Sequence, residues 1–377
     1  MQYRQFGNTE FHVSALGFGC MRLPTTGEPA AIDEPEAIRM VRHAIDGGVN
    51  YVDTAYPYHD QQSERVVGWA LRDGYREKVK LVTKMPCWLI ETPADFDKYL
   101  DEQLDKLQVA HLDYYLLHAV FAGRWKKMQE MGALEWAERA VADGRIGGLG
   151  FSFHDQLPLF KEMIDATDQW ALCQIQYNFM NEDVQAGTEG LEYAAAKGLP
   201  VVIMEPLLGG LLANPPESVR AIWDEGGKDP VDAALRWLWH KPEVSVVLSG
   251  MSAFDQVAQN LEIAGRSGVG TMTEDELALI ARVHDTYRGF ESIPCTKCRY
   301  CMPCPNGVDI PRNFELYNEA VIYDSLGLSR SLYTYHTRKE ERAEACIACR
   351  ECEEKCPQQI EISDWMPRIH EALLIQE

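Results

Sequence analysis

Nowhere in the 377 residues does a strand-like run lead into G-x-G-x-x-G, so the Gly-rich phosphate loop of open dinucleotide-binding sheets is missing. Long apolar runs are missing too. None approaches the roughly 20 residues that a membrane-crossing helix needs, and the opening MQYRQFGNTEFHVSALGFG lacks the basic-then-apolar layout of a secretory leader. A cytoplasmic protein is expected, which in turn argues against disulfides. Positive charge is scarce: 36 Lys and Arg face 58 Asp and Glu, a net charge of −22 spread without blocks. Such a surface repels phosphate backbones, so neither nucleic acid nor an anionic membrane is an expected partner. There is no low-complexity tract. Cysteine is thin upstream of residue 290, where Cys20, Cys87 and Cys173 read as ordinary buried thiols.

What is present in the first 270 residues is alternation of strand and helix periods. The opening alternates like a hairpin around Gly7-Asn8. Strand-like runs follow: HVSALGFG, VNYVDTA, VKLVTKM, HLDYYLLH, RIGGLGFS, LCQIQYN, PVVIMEPL and VSVVLSG. Ile38, Val41 and Ile45 repeat at helical spacing, and amphipathic stretches span about 62–73, 95–107, 128–143, 155–165, 188–197, 230–240 and 253–264. Eight βα units of this length predict a closed (β/α)8 TIM barrel, since an open doubly wound sheet usually has fewer strands.

In such barrels chemistry sits at the C-terminal ends of strands. The second predicted strand ends in Asp53 with Tyr58 five residues on, the third in Lys84 and the fourth in His118. One polar residue at a strand end commonly marks where the chain leaves the core; four of complementary types form a coherent set. A phenol near its ordinary pKa of about 10 is a poor acid at neutral pH, and a neighbouring ammonium favours its phenolate. Lys84 would do this to Tyr58, Asp53 would hold Lys84, and His118 would polarise a substrate oxygen or extend a proton relay.

GVNYVDTAYPYHDQQSERVVGWAL, LVTKM and YYLLH resemble the aldo-keto reductases, whose Asp-Tyr-Lys-His tetrad matches Asp53, Tyr58, Lys84 and His118. The resemblance covers about residues 1–265. It implies transfer of hydride from a reduced nicotinamide, NADH or NADPH, to a carbonyl carbon, with the tyrosine protonating the oxygen. It also implies a cofactor site: Cys20 and Met21 in the first-strand loop, Asp53, Ser152 and Gln174 at the carboxamide, Met204 where many members place an aromatic, and Gly250, Gln256 and Asn260 around the dinucleotide. Phe153 stands where many members have Asn. Met251, Ser252 and Ala253 supply no cation where NADP-preferring members often have Lys or Arg, which tilts the expectation toward NADH.

After TEDELALIARVHDTYRGF, a helix expected to close the outer ring, composition changes near Ile293-Pro294 and cysteine dominates. Cys295, Cys298, Cys301 and Cys304 form one run ending in Cys-Pro; Cys346, Cys349, Cys352 and Cys356 form another. Three thiolates at two-residue gaps let one loop wrap three corners of a cubane while the fourth turns to the other cluster. This pattern assigns one [4Fe-4S] cluster to Cys295, Cys298, Cys301 and Cys356, and the other to Cys346, Cys349, Cys352 and Cys304. Zinc is the rival, but it wants pairs rather than quartets ending in Cys-Pro. The gap from Cys301 to Cys304 is one residue shorter than the ferredoxin pattern. The intervening sequence is helix-like, resembling helical dicluster ferredoxins, and the whole chain is similar to aldo-keto reductases with a C-terminal ferredoxin-like domain. Residues 1–290 are therefore expected to form the barrel and 291–377 a mainly α-helical domain.

Hydride moves two electrons and a [4Fe-4S] cluster takes one, with no flavin site legible between them. The expected function is an NAD(P)H-dependent carbonyl reductase acting on a small molecule, with clusters that are structural or dock a redox partner protein. The alternative couples clusters and barrel in one electron path, through a flavin or partner, reducing a C=C bond. Phe121, Trp125 and Trp88 are candidates either for an aromatic pocket or for loop core.

Overall fold

In a computed structural model, which describes residues 1–27, 31–290, 292–322 and 325–375, the chain opens with the expected hairpin. Strands β1 (Tyr3–Gln5) and β2 (His12–Ser14) pair antiparallel, turning through Gly7 at φ 56°. Any larger residue is barred there, because a Cβ would lie 2.5 Å from the Gly198 carbonyl.

Eight strands then close a parallel barrel: β3 (Leu16–Gly19), β4 (Tyr51–Asp53), β5 (Lys80–Met85), β6 (Tyr114–Val120), β7 (Leu149–Phe153), β8 (Trp170–Gln176), β9 (Val201–Met204) and β10 (Val244–Ser249), with β10 returning to β3. Each overlaps one of the eight expected runs, with β6, β7 and β8 reaching one or two residues beyond theirs. Strands β3 to β10 are buried along nearly their whole length, which is why they read as continuous apolar runs rather than alternating ones. Phe6 and Val13 of the hairpin pack with Tyr51, Val82, Leu116, Leu172 and Val246. The hairpin thereby closes the end where the strands begin and leaves the C-terminal ends for chemistry.

The helices in chain order are α1 (Glu34–Asp46), α2 (Ser63–Ala70), α3 (Ala94–Leu107), α4 (Ala122–Glu130), α5 (Ala133–Ala142), α6 (Leu157–Asp165), α7 (Gly187–Ala196), α8 (Glu217–Glu225), α9 (Pro230–His240), α10 (Phe254–Gly265), α11 (Glu274–Arg288), α12 (Ile310–Ile322), α13 (Leu326–Ser331) and α14 (Ile362–Leu373). Several differ from expectation; the helix-like stretch 338–345 between the cysteine runs holds only two 3-10 turns, Lys339–Glu341 and Ala343–Ala345. The stretch 128–143 is broken at Gly132, φ 74°, into the end of α4 and all of α5. Helix α8 was not anticipated, since 217–225 lies between the periodic segments that were read.

By compactness the chain divides into Met1–Pro206 with Ala234–Met272, and Leu207–Ala233 with Thr273–Glu377. The first unit holds the barrel strands. In the second, α11 packs on α8, with Leu279 against Gly226. A core of Ile310, Phe314, Leu316, Tyr333, Ile362, Met366, Ile369 and Leu373 joins α12 to α14. The second unit has no strand among the described residues, matching the expected helical character. The expected boundary at 290/291 touches Glu291, which lies outside the described residues. Among the described residues no helix is long and apolar enough to cross a membrane.

Candidate active site

The parallel register places Asp53 beside Val82 and Lys84 beside Leu116, so Asp53, Lys84 and His118 emerge from three adjacent strands at the same end of the barrel. The Lys84 ammonium, 1% exposed, donates to Asp53 Oδ1 at 2.5 Å, to the Thr54 carbonyl at 2.8 Å and to the Tyr58 hydroxyl at 3.4 Å. It also stands 5.0 Å from the centre of the Tyr58 ring. Burial pushes the Asp53 carboxyl up, and the Lys84 ammonium opposes that shift by pairing with the carboxylate. Breaking such a buried pair from one side costs about 3–5 kcal/mol, because the survivor keeps an uncompensated charge. The Tyr58 and His118 rings meet edge to face at 6.1 Å. Burial, then the positive charges of Lys84 and Arg124, hold His118 well below its usual range, so it is a neutral imidazole. All four tetrad residues are therefore brought together.

Beneath them lies a support that the sequence did not disclose. Buried Glu64 of α2 accepts from the Thr83 hydroxyl at 2.6 Å and from the Gln103 amide at 2.5 Å. Gln103 in turn accepts from the Tyr115 hydroxyl at 2.6 Å and donates to the Lys84 carbonyl at 3.1 Å. The network ties α2 and α3 to the backbone that carries Lys84. Three further residues stand at this end: Trp88, a pocket-or-core candidate of the sequence, 5.3 Å from the His118 ring; and two the sequence did not mark, His154, buried and drawn down to about 3 by desolvation, and Arg124, whose charge depresses both histidines. His154 stands two residues past the strand-like run RIGGLGFS, and nothing in the pattern marks it as turning inward. Trp125 settles as core, 1% exposed against Trp170, whereas Trp88 and Phe121 are half-buried.

The residues expected at the cofactor fall into two groups. Gln174 is buried and its Oε1 has no hydrogen-bond partner, an orphaned acceptor of the kind a carboxamide N–H would satisfy. Ser152 Oγ instead accepts the Ala119 N–H at 2.8 Å. Cys20 is buried, its thiol pushed far up by desolvation and then by Asp53, so it stays protonated; its carbonyl accepts from the Ser63 hydroxyl at 3.0 Å. Met21 follows it in the same short 3-10 turn, and Met204 ends β9 half-buried. Gln256 caps its own helix, accepting the Ser252 and Ala253 N–H groups at 2.8 and 3.3 Å, and Asn260 donates to Ser249 at 2.9 Å. These two shape the 249–253 loop over the start of α10, and Gly250 lies in that loop against the Arg22 side chain. Helix starts favour phosphate through exposed N–H groups.

In the second unit the two cysteine runs have matching backbones. Lys297 and Ala348 take φ 57° and 56°, Arg299 and Arg350 take 64° each, and Gly307 and Gln359 take 83° and 52°. Both runs then lead into a helix, α12 or α14. Cys301 lies where the charges of Cys298, Cys295 and Cys356 act on it, and Cys352 where those of Cys346 and Cys304 do. Cys301 thus has the other three members of its expected quartet near it, and Cys352 of the other quartet as well. Burial pushes the Cys352 thiol up to about 11, a cost that iron binding would reverse by favouring thiolate. Two buried asparagines of α12 hold the approaches: Asn318 bonds both backbone groups of Ile293 at 2.7 Å, and Asn313 accepts the Ala343 N–H at 2.8 Å while donating to the Glu341 carbonyl. Among the described residues no set of three or more His, Cys, Asp or Glu closes on one point as ligands of a single metal ion.

Comparison with known proteins agrees with both readings. Residues 15–283 match the aldo/keto reductase family, and residues 294–361 match the 4Fe-4S dicluster domain. L-galactose dehydrogenase of Arabidopsis thaliana is 27% identical over 285 residues, covering 69% of this chain and 87% of the relative. An aldo-keto reductase from Bacillus halodurans in its holo form superposes with a TM-score of 0.63 at 26% identity, covering 75% of this chain and 96% of that one. A Klebsiella pneumoniae aldo-keto reductase in complex with NADPH shares the fold, with a TM-score of 0.61 at 24% identity over 75% of this chain and 95% of its own.

Proposed function

The chain belongs to the aldo/keto reductase family, and we propose that it is a nicotinamide-dependent carbonyl reductase with Tyr58 as proton donor and a C-terminal domain, 291–377, that carries two [4Fe-4S] clusters. The observation that carries the reading is the single Lys84 ammonium reaching Asp53, the Thr54 carbonyl and the Tyr58 hydroxyl at once. When bound, a reduced nicotinamide would supply hydride to the carbonyl carbon, and Gln174, Ser152 and Met204 would hold its ring. Tyr58 gives its phenolic proton to the carbonyl oxygen. Lys84 stabilises the phenolate left behind, and Asp53 keeps Lys84 charged and aimed. His118, neutral, donates an N–H to the same oxygen rather than a full positive charge.

The clusters supply one-electron chemistry when bound; in this reading they brace the helical domain or dock a redox partner, and the barrel reaction proceeds without them. The cysteine runs fit such groups, given eight thiols, matched loops and neighbours that follow the two quartets. The deciding experiment is Tyr58→Phe, which removes the donor and keeps the ring. Turnover of an aldehyde should fall about 10²–10⁴-fold, with nicotinamide affinity changed less than threefold. Full activity in the variant would remove Tyr58 from the reaction.

A further inference from the structure

Strands β8 and β9 do not stop pairing where their regular ladder ends. In their register Gln176 stands opposite Met204 and Gln174 opposite Val202, so Gln174 and Met204 project to the same face of the pair. That face carries the orphaned Gln174 Oε1. One residue past the ladder, the Tyr177 N–H still reaches the Met204 carbonyl at 3.3 Å. A side chain makes the next rung: Asn178, 1% exposed, donates its Nδ2 to the Glu205 carbonyl at 2.9 Å. Its Oδ1 accepts the N–H groups of Met180 at 3.0 Å and Asn181 at 3.1 Å. One end of the amide thus caps its own loop, and the other holds the chain where it leaves β9.

That exit needs holding. Glu205 takes φ 57°, a left-handed conformation unfavourable to any residue with a Cβ, and it precedes Pro206, whose ring pushes the residue before it toward extended backbone. A residue so placed persists only where its surroundings over-determine it. The Tyr177 and Asn178 donors grip the two peptide planes that flank the Glu205 Cα, which fixes its φ and ψ together. The first of those planes also follows the Met204 Cα, so the same grip aims the Met204 side chain. We infer that Asn178 is a positioning residue for the cofactor: by holding Glu205 left-handed it keeps Met204 against the nicotinamide ring, on the face that Gln174 shares. This rests on the reading of Met204 and Gln174 as holders of a nicotinamide.

The test titrates NADH and NADPH by fluorescence into wild type, Asn178→Asp and Asn178→Ala. Asn178→Asp keeps an oxygen for the Met180 and Asn181 N–H groups and turns an oxygen toward the Glu205 carbonyl, so the loop stays capped while the grip on Glu205 is lost. It should raise the Kd of the tighter-binding nucleotide at least about tenfold; a smaller rise overturns the inference. A role confined to the 178–181 turn gives the opposite ranking, with Asp near wild type and Ala impaired, and would overturn it too. The route is checked by a cycle. In a Met204→Ala background, where the side chain being aimed is gone, Asn178→Asp should cost less than about threefold, and a larger cost means that Asn178 acts elsewhere. Should Asn178→Asp fail to fold alone, Glu205→Gly decides, because glycine takes positive φ without a steric penalty. A folded double variant within about threefold of Glu205→Gly in affinity upholds the inference, and one that binds more weakly or stays unfolded overturns it. A folded wild type that binds neither nucleotide overturns the nicotinamide reading and this inference together, whereas wild-type binding that Asn178→Asp leaves intact overturns this inference alone.

Discussion

Arg299 and Arg350 share one backbone conformation, φ 64° in each, one residue after the second cysteine of its run. The match continues in hydrogen bonding, since the Arg299 carbonyl accepts from Met302 N–H and the Arg350 carbonyl from Glu353 N–H, both at 2.9 Å. Left-handed residues without glycine are costly, so two copies of the same costly loop mark one job done twice. The one-residue difference in spacing falls after this loop, between Cys301 and Cys304 in one run and Cys352 and Cys356 in the other, and the backbone regains its match at Gly307 and Gln359. Protein purified without oxygen should be brown and contain about eight irons and eight acid-labile sulfides per chain, as two four-iron clusters require. Zinc without labile sulfide would refute this, and about four irons would mean that only one quartet is filled.

Cys349 is the one exposed thiol among the described cysteines, so Cys349→Ser disturbs little packing and reports on the cluster itself. Iron content should fall by about half, with the absorbance near 400 nm. Carbonyl reductase turnover per folded barrel should remain within about twofold of wild type. A variant that is folded, binds nicotinamide and is inert would show that the clusters and the barrel work as one electron path.

Acid should destabilise the barrel through its buried imidazoles. His118 and His154 lie below the usual histidine range when folded, His154 at about 3, while an unfolded histidine titrates near 6.5. The unfolded chain therefore binds more protons once pH drops below about 6.5, and stability falls as pH falls from there toward 3. Each such histidine contributes a slope of about 1.4 kcal/mol per pH unit. Urea titrations at pH 7.5, 6 and 5 should show the loss, and His154→Gln should remove about one histidine's share of the slope. An unchanged slope would mean that His154 is not buried as a neutral ring.

The dinucleotide should bind as NADH at least as well as NADPH. No cation stands at 251–253, and Arg39, which lies 3.6 Å over the Phe254 ring at the start of α10, is already paired with Glu36 at 2.7 Å. Fluorescence titration reads the two affinities directly. A preference for NADPH above tenfold, about 1.4 kcal/mol, would assign a 2′-phosphate contact to Arg22 or Arg39.

Strand number, barrel closure and the tetrad were legible because each rests on local pattern: apolar runs of strand length, and ionisable residues at their ends. The cysteine runs were legible for the same reason, as their spacing is short and their Cys-Pro ends repeat. Arg124, His154 and the Glu64–Gln103–Tyr115 network were not. Their roles depend on which side chains from separate strands and helices meet. Local pattern thus determined the strands, most of the helices, their order and the candidate site residues. The neutral state of His118, the compensation of Lys84, the likeness of two cysteine loops with unequal spacing and the guanidinium beside the tetrad were decided only by the tertiary structure, because desolvation, charge pairing and backbone strain act between groups distant in the chain.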